Sequence, residues 1–569
     1  MSLAIYLELL IIVPIGGFII MLTCHKDVLT ITKQLVNIES IVNTSGETDI
    51  ANFIYNWLKQ LPYFQENPSS VAIEKTVDDD KQRYNVLAYI KGTKSDSNKT
   101  VMLMGHVDTV GIDDFGQIKD AACSPDELVL EMLTETVPPN VEEHLKSGDW
   151  LFGRGSLDMK SGLASHLYLL KYYSENPDKL EGNIVFVAEC DEEDGSHGIL
   201  SALKTLRKWK KEQNFDYIAA INADFVSPRY EGDENRYIYK GTVGKLLPSF
   251  FITGAETHVG SCFEGIDPNF IASYLTKQIS YNPDLCNEAY GERTVPPVSL
   301  KQTDLKPTYT VQTALSAYVY YNFFIHSWSP KDVLNLLKEQ ATIAFSDALE
   351  DFKKSYQTYS ETTDEPLREV IWQPRVFIYE EMEEMLVEKY GDEYVSAMNT
   401  FKEQLLEDLS LDTRMYSARV VEEAWKWMED KSPAIILFYS SLYSPRIEVT
   451  GKNENEQNLL TALDIAVENV QPHYKHPIVM RNFFPYISDM SFVALSDDEQ
   501  GIEAVTRNNP SWGKKHFVNY DDILDINVPV INIGPYGFDA HKKYERAEVN
   551  FSHYIVPNLT NEVIKKLIG

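Results

Sequence analysis

The sequence predicts an α/β fold: one sheet with covering helices, interrupted by a smaller inserted α+β unit. Three observations predict it. Apolar runs with little polar interruption, such as residues 84–90 (YNVLAYI), 100–104 (TVMLM) and 183–188 (NIVFVA), suit central strands buried on both faces. Amphipathic helical stretches alternate with these runs, which places helices over the sheet. After residue 240 that texture changes, and from about residue 433 it returns.

The elements follow in order. Residues 27–42 form an amphipathic helix through Leu29, Ile31, Leu35, Ile38 and Ile41, and residues 50–61 a second. Strands at 84–90 and 100–104 come next, then a helix at 160–173, a strand at 183–188, a helix at 200–211 and a strand at 217–222. In the inserted part we expect a strand at 246–253, a helix at 269–279, one long strand or two over 309–324, a long helix at 330–356 and a strand at 370–379. That order suggests an open β-α-β-β-α-β sheet. Residues 380–430 are charged and helical and read as a solvated helical hairpin. The α/β pattern resumes with a strand at 434–439, a helix at 455–470, a strand at 528–533 and a closing helix at 561–568. The expected division is a hydrophobic segment (1–25), a catalytic unit in two pieces (26–241 and 410–569) and the inserted unit (242–409).

Bulk properties exclude some functions. With 569 residues the chain exceeds one ordinary core, at roughly one domain per 150 residues. The net charge of -33 would repel a phosphate backbone, so no nucleic-acid partner is expected. The five cysteines include no C-x-x-C pair, which argues against a disulfide framework or a thiolate zinc site and fits a reducing, cytoplasmic setting. Residues 3–23 (LAIYLELLIIVPIGGFIIMLT) approach the roughly 20 residues that span a bilayer, yet lack a basic leader. A membrane anchor, a helix packed on the protein and an upstream extension of the start site all remain open.

The chemistry lies at the strand ends. His106 and Asp108 follow TVMLM in GHVDT, where open α/β sheets place their ligands. Asp158 stands in GRGSLDMKSG, just before a helix, and alone would be an ordinary helix cap. Asp191, Glu192, Glu193 and Asp194 close the strand NIVFVA; four adjacent acids repel unless a cation offsets them. Asp224 follows YIAAIN, and His541 follows VPVINIGP in GFDAH, with Glu545 just beyond. Individually each is ordinary. Together they offer the imidazoles and carboxylates that two-metal hydrolases use, with one carboxylate between the ions.

On these motifs the sequence resembles the zinc exopeptidases and deacylases that include carboxypeptidase G, acetylornithine deacetylase and aminoacylase. The PYISDMS segment around Asp489 and the helical extension look nearest to the arginine-utilisation RocB subgroup. The resemblance implies a mixed-sheet, three-layer α/β/α catalytic domain with an inserted α+β lid. It implies two divalent ions, zinc first, with cobalt or manganese as substitutes. His106, Asp158 and Asp224 would hold one ion, and Asp158, Glu193 and His541 the other. Asp108 would orient His106, Glu192 would be the general base, and His258 of Gly254-Ala255-Glu256-Thr257-His258 would steady an oxyanion, often across a lid-mediated homodimer. The implied reaction is hydrolysis of an amide in a small peptide or N-acyl amino acid. The alternative is a non-catalytic or regulatory binding member of the same fold, tethered to a membrane by residues 3–23. The extra helices at 380–430 and the long connection from Glu193 to Asp224 depart from the simple family pattern, and the family's carboxylate-binding arginine is not located.

Overall fold

The structure is a computed structural model that describes residues 21–363 and 365–569. The apolar segment expected at 3–23 therefore lies almost wholly outside the described residues. Met21 and Leu22, at its end, pack against the main core, and the Leu22 amide donates to Asn558 Oδ1 at 2.7 Å. Among the described residues, no helix is long and apolar enough to cross a membrane.

Eight strands form the catalytic sheet, in the order Val71–Lys75, Tyr84–Lys91, Asn183–Glu189, Lys99–His106, Asp216–Asn222, Val530–Asn532, Arg236–Tyr239 and Ile478–Arg481. Its centre is parallel: Lys99–His106 runs parallel to both neighbours, and Val530–Asn532 parallel to Asp216–Asn222. Tyr84–Lys91 pairs antiparallel with Asn183–Glu189, so the sheet is mixed. Successive strand residues face opposite sides. Val101, Leu103, Ile184 and Phe186 pack under the helices His25–Val36, Gly46–Lys59, Ser161–Glu175, Glu454–Val470 and Val556–Ile568. Met102, Met104, Val185 and Val187 pack under His197–Glu212 and Tyr520–Ile526. Burial on both faces explains why these strands are apolar throughout. Three strands of the sheet, Val71–Lys75, Arg236–Tyr239 and Ile478–Arg481, are absent from the sequence reading. They are short, and the first and last are edges.

The second sheet corrects several expectations. Its main path is Val298–Asp304, Ser316–Ile325, Pro248–Thr253, Ala434–Tyr439 and Val376–Ile378, with Gly244–Leu246 on the far end of Ser316–Ile325. Strand Ala434–Tyr439, expected to reopen the catalytic unit, pairs instead with Pro248–Thr253, Phe250 opposite Leu437. Helix Thr413–Trp427 packs on this same sheet. The chain thus returns not at 410 but where Ile447–Glu448 pairs with the outgoing Gly241–Thr242. The expected strands at 309–324 and 370–379 shorten to Ser316–Ile325 and Val376–Ile378. The sheet is open-edged, with both faces covered. Helices Pro268–Ile279 and Pro330–Thr362 cover one face. Helices Tyr379–Tyr390, Asp392–Leu406 and Thr413–Trp427 cover the other, burying Tyr379, Met382, Leu386, Tyr394, Met398, Tyr416 and Val420. The stretch read as a solvated hairpin carries apolar residues at i, i+4 spacing, and its many charges mask that stripe in composition.

Candidate metal centre

His106 ends the strand Lys99–His106, opposite Glu189 in register, and is buried. Its Nδ1 lies 3.1 Å from the Asp108 carbonyl oxygen. A carbonyl only accepts, so Nδ1 carries the proton and Nε2 is left to face Asp158 Oδ1 at 3.0 Å. Asp108 therefore meets the imidazole with its backbone carbonyl. Its carboxylate, 3.6 Å from Nδ1, accepts the amides of Glu192 at 3.3 Å and Glu193 at 3.1 Å. One residue fixes both the imidazole and the acidic turn.

Asp158 sits in the turn before helix Ser161–Glu175. Glu545 Oε1 accepts the amides of Leu157 and Asp158 at 3.1 and 3.2 Å, and Glu545 Oε2 takes Arg154 Nη1 at 2.7 Å. With its amide held from behind, Asp158 offers both oxygens forward. Oδ1 meets His106, and Oδ2 meets His541 Nε2 at 2.9 Å. His541 Nε2 is also 3.0 Å from Glu193 Oε1. Potential ligand atoms of His106, Asp158 and Glu193 all lie within 4.8 Å of one another. Glu192 Oε2 stands 3.9 Å from His106 Nε2.

Asp224 follows the strand Asp216–Asn222 and is buried. Asn532 clamps its backbone, accepting the Asp224 amide at 2.9 Å and donating to its carbonyl at 2.8 Å. A side chain at Gly534 would come within 1.8 Å of that carbonyl, so only glycine lets the two strand ends approach. Asp224 lines the same cavity as Asp158, Glu192, Glu193 and His541. His258 does not. It is exposed on the second unit, and its Nδ1 accepts the Gly260 amide at 3.0 Å.

The charges show what the site needs. Burial, reinforced by Glu193 and Asp224 against the pull of His106, lifts Glu192 well above the usual carboxylate range. Burial and Asp158 push Asp224 up to about 7. Burial opposes charge on His541, yet Asp158 and Glu193 raise it to about 10. The carboxylates crowd one another, with imidazoles as their nearest compensation. A pair of divalent cations would meet these donors and relieve the crowding, so the residues fit such ions.

The cavity encloses about 1210 Å³ between the two units. Six lysines and arginines line it; the two that the second unit contributes, Lys245 and Arg414, are invisible to motif reading. Among the described residues Lys245 has no ion-pair partner within 4.0 Å, and Arg414 has only Asp412, at 3.8 Å. Burial, then the nearby Arg414, lower the Lys245 pKa, and Glu192 opposes them. Arg154 lies inside GRGSLDMKSG and Glu545 just beyond GFDAH, but neither pattern announces a supporting role.

Comparison with known proteins gives the family. The profile of peptidase family M20/M25/M40 matches residues 134–526. Protein RocB of Bacillus subtilis (strain 168) is 37% identical over 538 residues, covering 95% of this chain and 94% of RocB. The uncharacterized protein YqjN of the same strain is 31% identical over 545 residues, covering 95% and 96%. The M20 family metallo-carboxypeptidase Sso-CP2 of Sulfolobus solfataricus shares the fold, with a TM-score of 0.51 at 12% identity over 95% of this chain and 99% of that one. The chain belongs to peptidase family M20/M25/M40 and is a metallohydrolase of that family.

Proposed function

We propose that this metallohydrolase holds two divalent ions, zinc by preference, and cleaves the amide of a small peptide or N-acyl amino acid bearing a carboxylate. The observation that carries the reading is Asp158, whose two oxygens meet two different imidazoles at 3.0 and 2.9 Å with Glu192 beside them. His106, Asp158 and Asp224 would hold one ion, and Asp158, Glu193 and His541 the other. Bound ions would polarise the amide carbonyl and bring a water pKa towards about 7. Glu192 is placed to take a proton from the attacking water and return it to the leaving nitrogen. Arg414 and Lys245 would hold the substrate carboxylate, which a cationic wall in an acidic protein favours. The unit from about 244 to 443 would act as the lid. His258 stands outside this cavity and would serve only the site of a second copy, through a lid-mediated homodimer.

The test is elemental analysis of the purified chain, followed by a panel of dipeptides and N-acyl amino acids. About two ions per chain and hydrolysis of at least one compound are expected. Two ions with no hydrolysis across the panel would favour the binding-module alternative, against which the intact Glu192 stands.

A further inference from the structure

The acidic turn at 191–196 must send neighbouring carboxylates to different tasks, and one buried arginine determines how. Arg83, just before the strand Tyr84–Lys91, is 3% exposed. Asp79 grips its guanidinium in a fork, Nε to Oδ2 at 2.6 Å and Nη2 to Oδ1 at 3.1 Å. Its remaining nitrogen, Nη1, donates to Asp191 Oδ1 at 2.6 Å and to Asn43 Oδ1 at 3.1 Å. The other Asp191 oxygen accepts the His197 amide at 3.0 Å and sits 2.6 Å from His197 Nδ1. The Asp191 carboxylate is thus fully occupied and is withdrawn from the metal side. Asn43 Nδ2 in turn donates to Asp194 Oδ2 at 3.0 Å. Arg83 therefore holds the turn at Asp191 directly and at Asp194 through Asn43, with Glu192 and Glu193 between.

The turn needs holding. Asp191 and Ser196 adopt φ values of +69° and +56°, a region unfavourable for side-chain-bearing residues that persists only where the surroundings fix it. The Asp191 carbonyl accepts the Ser196 amide at 2.7 Å, closing the loop on itself. From the other side Asp108 takes the Glu192 and Glu193 amides. A lysine could supply the charge of Arg83 but could not span Asp79, Asp191 and Asn43 at once, because its single nitrogen lacks the planar fork.

We propose that Arg83 is a positioning residue for the metal centre: acting through Asp191 and Asn43, it sets the turn that aims Glu193 at the ions and Glu192 at the water. The same clamp fixes His197 on the cavity wall. The inference rests on the two-ion reading above.

The experiment uses the full chain as Arg83→Met, Arg83→Lys, Asp191→Asn and the Arg83→Met/Asp191→Asn double variant. Zinc affinity is measured by competition with a chromophoric chelator, the visible spectrum of the cobalt-loaded protein is recorded, and circular dichroism reports folding. We expect roughly 10- to 100-fold weaker zinc binding and an altered cobalt spectrum in folded Asp191→Asn, the scale typical of groups that orient ligands. We expect partial recovery in Arg83→Lys relative to Arg83→Met, and a double variant no weaker than the weaker single. If Arg83→Met misfolds, Asp191→Asn, which keeps the shape, decides alone. Parent-like zinc affinity in folded Asp191→Asn, or additive losses in the double variant, would overturn the proposal. A parent chain that binds no zinc would instead sink the two-ion reading, and this inference with it.

Discussion

The catalytic sheet and the second sheet are both layered between helices, yet they meet the cavity differently. The catalytic sheet presents buried carboxylates and imidazoles from its strand ends, each backed by hydrogen bonds: Asp108 behind the acidic turn, Glu545 behind Asp158 and Asn532 behind Asp224. The second unit brings Lys245 at its entry and Arg414 at the start of a helix; among the described residues Lys245 has no ion-pair partner and Arg414 only Asp412, at 3.8 Å. The difference suggests a division of labour. On the proposed reading the supported, crowded side would perform the reaction, and Lys245 and Arg414 would select what is brought to it.

Breaking the catalytic side should have the largest effect. Glu192→Gln keeps the size of the side chain and removes its basicity. We expect metal content to stay near the parent value while kcat falls by roughly 10²- to 10⁴-fold, the scale of a lost general base. Near-parental turnover by that variant would take Glu192 out of the proton path. His541→Ala, by contrast, should lower bound metal from about two ions towards one, because in the proposed arrangement His541 would hold one ion only. Elemental analysis reads this directly, and an unchanged count would remove His541 from the ligands.

Breaking the cationic side should look different. Arg414→Met should raise KM by roughly 10- to 100-fold, the worth of a charged hydrogen bond, with kcat changed far less. Lys245 also feels Glu192, which opposes the lowering of its pKa by burial and by Arg414. Lys245→Met should therefore move both constants. A loss of kcat without a rise in KM in Arg414→Met would erase the proposed division.

The same contrast explains what could be read from sequence. His106, Asp158, Glu193 and His541 fall in short motifs that are ordinary one by one and point to a shared site only as a set. Arg83 lies 108 residues before Asp191, and a lone arginine ahead of a strand carries no signal of its partner. Arg414 is lost among the charges of the helical extension. The run AIILFY at 434–439 reads correctly as a strand, but apolar composition is the same in either sheet, so it says nothing about which one the strand joins.

The smallest effect concerns the base of the acidic turn and tests whether its network is held by charge or by shape. Glu47 is buried next to Arg83, 3.6 Å from Nη1, and its Oε2 accepts the Asn43 amide at 2.8 Å. Burial first, then repulsion from Asp108, push its pKa up to about 8, against the opposing pull of Arg83. In the unfolded chain a glutamate titrates near about 4.3. Between those values the folded state binds the extra proton, so raising the pH through this window removes stability, and below it the contribution is fully present. Glu47→Gln fixes the neutral form. The melting temperature of the variant should therefore fall less than the parent's between about pH 5 and pH 8, which thermal denaturation followed by circular dichroism would show. Parallel curves would mean that Glu47 stays ionised in the folded chain, that Arg83 compensates a third carboxylate as well as Asp79 and Asp191, and that the turn beneath the metal ligands is held by charge more than by shape.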